Sequence, residues 1–191
     1  MKHLLIVILF IFTSVSQAED DSSWLLADGT PAPNTDSQKS IKGFGGWLLV
    51  TPDEDWEQKW NTPVENTPSF SVAKEVEIGE ELTILPFFVN PKLNDDKSLN
   101  ILCDISVQKP DASFSFNETG ILCATGIYEG DINNVLLAST VVKYIGEEGD
   151  PFGEWIVRFK FTDTVRNVSV SLKTSFTLVK NKAIKTLKQD F

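Results

Sequence analysis

Residues 153–179 read GEWIVRFKFTDTVRNVSVSLKTSFTLV, and their alternation decides the fold. Trp155, Val157, Phe159 and Phe161 alternate with Ile156, Arg158, Lys160 and Thr162. After a link through Asp163 to Asn167, Val168, Val170, Leu172, Phe176 and Leu178 alternate with Ser169, Ser171, Lys173, Ser175 and Thr177. Side chains on a strand point to opposite faces in turn, so a period of two over two long segments predicts an antiparallel hairpin with one buried face.

Upstream, further β-patterned segments stand between turn-forming clusters. They are Val76–Ile78, Leu82–Val89, Leu99–Val107, Ser113–Phe116, Ile121–Ile127 and Val135–Ile145, separated by Gly79, Asn90-Pro91, Asn94-Asp95-Asp96, Pro110-Asp111 and Gly130-Asp131. Many short strands joined by turns point to a mainly β fold, a single immunoglobulin-like antiparallel β-sandwich. Pro86 lacks a ladder donor, which places Leu82–Val89 at an edge or a bulge.

One helix is expected, over Pro52–Asn61. Thr51 with Glu54 three residues on makes a capping box, Pro52 suits the first helical position, and Asp53, Glu54 and Asp55 favour the positive end of the helix dipole. Just before it, Trp47-Leu48-Leu49-Val50 follows Gly43, Gly45 and Gly46 and suits a buried strand.

The N-terminus reads as an export signal over residues 1–18. Lys2 and His3 give a charged start, Leu4–Phe12 an apolar run too short to span a bilayer, and Ser16 and Ala18 the small residues that set cleavage between Ala18 and Glu19. The mature chain is therefore expected in the periplasm or secreted, without stable membrane insertion. Residues 19–42 are acidic and rich in Ser, Pro and Gly and read as a disordered linker in which Trp24-Leu25-Leu26 is the one apolar island. The sandwich is expected over 43–180 and a basic tail over 181–191.

Cleavage removes His3, the only histidine, which excludes a His-based nucleophile system, a His-ligated zinc or a His general base from the mature protein. The whole chain carries a formal charge of −10, one unit more negative once Lys2 is lost, and such a surface repels phosphate backbones. Nucleic-acid binding is not expected, nor a cofactor. Cys103 and Cys123 lie in β-patterned segments of an exported chain and read as one disulfide, closing a loop of about 20 residues and worth about 3 kcal/mol.

The stretch GDPFGEWIVRFKFTD with the strand after it is similar to the final hairpin of immunoglobulin-like extracellular and periplasmic domains. Taken with FGGWLLVTPDEDWEQKWNTP and QKPDASFSF, the chain resembles a group of uncharacterised exported bacterial proteins. That resemblance implies fold and compartment and transfers no site residues.

Three of the five tryptophans, Trp47, Trp56 and Trp60, stand beside Asp53, Glu54 and Asp55. Trp56 and Trp60 share a helix face, which makes these rings a possible ligand or partner face, for a glycan if exposed, or simply packing if buried. Carboxylates are abundant, but no spacing singles out a hydrolytic pair. The acidic turns Asn94-Asp95-Asp96 and Glu147-Glu148-Gly149-Asp150 lack the calcium-loop pattern, so no metal is expected. Asn117-Glu118-Thr119 and Asn167-Val168-Ser169 match the glycosylation acceptor, which matters only in a eukaryotic secretory route. The expectation is a non-catalytic exported module with a protein-interaction or structural role and an unknown protein partner in the cell envelope. The rivals are a carbohydrate-binding module using Trp56 and Trp60, and a small carboxylate-dependent hydrolase.

Overall fold

The computed structural model describes residues 22–26, 28–63 and 68–180. The expected signal segment with its expected cleavage point between Ala18 and Glu19, and the expected basic tail 181–191, lie outside the described residues. The rest is a two-sheet β-sandwich. Its elements are β1 (Gln38–Ile41), β2 (Phe44–Thr51), α1 (Trp56–Trp60), β3 (Glu75–Glu77), β4 (Glu81–Val89), β5 (Ser98–Gln108), β6 (Phe114–Ile127), β7 (Leu136–Leu137), β8 (Val142–Ile145), β9 (Gly153–Asp163) and β10 (Val168–Val179). The first sheet has the order β1-β2-β4-β7, with β8 also pairing β4; the second has the order β3-β10-β9-β5-β6. No helix among the described residues is long and apolar enough to cross a membrane.

The hairpin predicted from alternation is β9–β10, antiparallel and in continuous register from Val168↔Asp163 to Leu178↔Gly153. Its inward residues Trp155, Val157, Phe159, Phe161, Val170, Leu172, Phe176 and Leu178 are all buried and meet Phe44, Leu48, Val50, Leu82, Ile84 and Phe88 of the first sheet. Burying a large apolar side chain contributes roughly 1.5–3 kcal/mol, so this shared layer dominates the stability of the domain. The disulfide forms between Cys103 and Cys123, with Cα atoms 5.8 Å apart. It joins the neighbouring strands β5 and β6 of one sheet.

Several local expectations are corrected. The sheets are not wholly antiparallel, because β3 lies parallel to β10 at Thr177–Val179. Pro86 is not at an edge: β4 is central, between β2 and the β7/β8 pair. The Pro86 carbonyl accepts from Ala138 N at 2.9 Å on the β7/β8 side, so its ring nitrogen faces the same side. There the partner chain breaks into two short strands, β7 and β8, rather than the single Val135–Ile145 segment, and the proline's missing donor falls between them. Ser113–Phe116 and Ile121–Ile127 merge into the single long β6, which meets β5 through register shifts.

A further correction concerns the helix, which is one turn and a half. Thr51 is claimed by β2, paired with Thr83 and fully buried, so the capping box does not form. The Thr51 hydroxyl instead accepts from Asp53 N at 3.1 Å, and the helix begins only at Trp56 with Asp55 at its cap.

The stretch set apart as a disordered linker is also different. Its described part, residues 22–26 and 28–42, is laid on the sandwich and contributes β1. Trp24 is 8% exposed, donates from Nε1 to the Lys39 carbonyl at 3.1 Å and meets the Trp47 ring edge-on. The indole lies over Gly45, where an added Cβ would come within 2.8 Å of Trp24 Nε1 and 2.6 Å of Val89. Asp36 and Lys39 then close one side of the sandwich. Lys173 N donates to the Asp36 carbonyl at 2.8 Å, and Lys39 Nζ to that of Ser171 at 3.2 Å. On the other side Ser139 N donates to the Cys123 carbonyl at 2.9 Å.

Candidate functional site

The two sheets present very different outer faces. On the first, β2 and β4 are apolar on both sides: Leu49, Leu85 and Phe87 point away from the main core and are buried by Trp56, with Trp47, Trp60, Phe70, Leu137 and Val141 around them. Phe87 is the hub. Trp47 stacks on it at 5.0 Å, Trp60 lies tilted at 5.1 Å and Phe70 at 5.9 Å. The structure thus brings Trp47, Trp56 and Trp60 together as anticipated, but Trp56 is buried, and Trp47 and Trp60 are half-buried against the sheet. They roof a second, smaller core.

Asp53 pins this roof. Its carboxylate receives Lys59 Nζ at 2.8 Å and Ser71 N at 2.9 Å, and Lys59 also reaches Asp55 at 3.0 Å. Burial pushes the Asp53 carboxyl up, but the bonds from Lys59 and Ser71 outweigh it and bring it down to about 2.

The outer face of the second sheet is open. A groove of about 410 Å³ crosses it, lined by Asp104 and Ser106 of β5, Asn117 of β6, Arg158 and Lys160 of β9, Ser171 and Lys173 of β10, and by Asp36 and Lys39. Register places Lys173 directly opposite Arg158, and Lys160 opposite both Ser171 and Asp104. Lys160 pairs with Asp104 at 3.0 Å, and Arg158 donates to Gln108 Oε1 at 2.9 Å. Lys39 stands 3.8 Å from Asp36, and the Lys173 ammonium has no partner among the described residues. The Asp104 carboxyl is lowered, chiefly by the Gly120 amide, against burial, with Lys160 adding to the effect.

Sequence reasoning identified Arg158, Lys160 and Lys173 only as the outward half of an alternating pattern. The signal that could have found the groove was present: three cations on the solvent face of one hairpin in an acidic chain. Only the register sets Arg158 against Lys173. The carboxylates considered for chemistry build turns instead. Asp96 accepts from Ser98 N and Oγ, and Asp150 from Tyr144 Oη and Glu147 N. Among the described residues no group of three or more His, Cys, Asp or Glu is poised to hold a metal ion.

The sequence matches no protein-family model and no curated protein. Among solved structures, the fold is similar to a family 123 glycoside hydrolase from Clostridium perfringens, with 10% identity and a TM-score of 0.39 over 71% of this chain. The match spans 27% of that chain's length. A likeness at that level says nothing of activity here.

Proposed function

We propose that this chain is an exported, non-catalytic immunoglobulin-like module that binds another protein in the periplasm or cell envelope, using the outer face of its second sheet. The observation that carries this reading is the contrast between the two faces. The first is spent on roofing a core with tryptophan, while the second is open and carries cations and hydroxyls. The disulfide suits an oxidising compartment, as does the export signal.

Neither rival draws comparable support. A glycan platform needs open rings, and Trp56 and Trp60 are turned into the sheet. A carboxylate hydrolase needs two acids facing each other across a cleft, whereas Asp53 is held by Lys59 and the Ser71 amide, and Asp96 and Asp150 are tied into their own turns.

Photocrosslinking in the producing cell tests the reading. A benzophenone side chain at Ser106, in the groove, is expected to trap one defined protein adduct, and the same probe at Gln58, on the exposed side of α1, none. Adducts from Gln58 alone, or a monomer from both, would count against it.

A further inference from the structure

Building on that reading, we infer that the groove across the second sheet receives an acidic, extended polypeptide segment of the partner. The argument begins with a local defect. Like charges directly opposite across a strand pair are destabilising, yet Lys173 faces Arg158. The acids at hand do not relieve it: Asp104 is engaged by Lys160, and Asp36 lies beside Lys39. The Lys173 ammonium and the guanidinium edge left over from Gln108 are thus two adjacent cations awaiting an anion.

Around them the lining adds hydroxyls and an amide from Ser106, Ser171 and Asn117, over the buried side chains of Ile105, Phe159 and Leu172. The one aromatic residue of the lining, Phe159, is 1% exposed, so the groove offers no ring on which a sugar could stack. Arg158 and Lys160 are two residues apart on β9, roughly 7 Å, the repeat at which alternate side chains of an extended peptide recur. One carboxylate of such a segment meets the Arg158–Lys173 pair, and the next reaches the Lys160 ammonium, which keeps donors beyond its bond to Asp104. The negative charge elsewhere on the chain does not forbid this, because at physiological ionic strength its field fades over about 8 Å.

The test is a fluorescence-anisotropy titration of the folded mature protein with a labelled decapeptide of alternating Glu and Ser. Binding is expected, weakening as salt rises, and the exposed double variant R158E/K173E is expected to lose roughly tenfold or more in affinity. K74E, on another part of the surface, should bind as wild type. Circular dichroism verifies that each variant folds.

Failure of the Glu peptide to bind, equal binding by R158E/K173E, or equal binding of a Gln-Ser peptide overturns the inference. Preference for polygalacturonate over the peptide overturns it in favour of an anionic glycan. A partner that still crosslinks from Ser106 and is indifferent to R158E/K173E leaves the binding module standing and removes only its acidic ligand.

Discussion

Arg166 sits against the fully buried carboxylate of Asp163, its Nε 3.6 Å from Asp163 Oδ2, and from there joins three parts of the fold. Its guanidinium donates to the carbonyls of Lys42 and Asn90, at the start of β2 and the end of β4. Asp163 accepts from Lys92 N at 2.7 Å and Arg166 N at 2.9 Å. One ion pair therefore ties the β9–β10 turn to the first sheet. Asp163→Ala removes the acceptor of two amides and strands a partly buried cation, and is expected to cost about 3 kcal/mol or more. Urea unfolding should show this as a lower midpoint at unchanged slope.

The seat of Trp24 makes a second prediction. Gly45→Ala puts a methyl where the indole and Val89 already lie, so Trp24 must leave its place. A loss of about 1–3 kcal/mol is expected, the range for overpacking a filled site. Near-ultraviolet circular dichroism should lose the signal of the Trp24–Trp47 edge-on pair, whereas Lys74→Ala, at an exposed position, should leave that signal intact.

These two features also mark where the sequence was legible. The β9–β10 hairpin could be read directly, because alternation fixes which face is buried whatever the sheet meets. Trp24 could not, because its burial comes from a notch at Gly45 some twenty residues away in the chain and leaves no period behind. Thr51 looked like a cap until cross-strand pairing with Thr83 claimed it. Pro86 looked like an edge marker, and its missing donor is accommodated by a gap between β7 and β8. The cationic groove was half visible. The outward positions were plain, but the meeting of Arg158 with Lys173 belongs to the register between strands.

The disulfide closes a loop between residues 20 apart, and both sulfurs are buried. The C103A/C123A variant is expected to fold with about 3 kcal/mol less stability. Thermal melts with and without reductant check this: wild type should approach the variant only under reduction, and the variant should ignore the reductant.

The roof over the first sheet should respond to acid. Asp53 is depressed to about 2 in the fold against about 3.9 unfolded, so its contribution is present in full above pH 4 and is lost as pH falls toward 2. Tryptophan emission should shift to the red across that window as α1 loosens. Asp53→Asn should show much of the red shift already at neutral pH and little further change on acidification.

The proposed binding face is tested most directly by amide and indole chemical shifts during titration of the folded protein with the Glu-Ser decapeptide. Perturbations are predicted to cluster at Ser106, Arg158, Lys160, Ser171 and Lys173, with the indole signals of Trp56 and Trp60 unmoved. Movement of those indoles, with the second sheet silent, would contradict the account and return the site to the aromatic face.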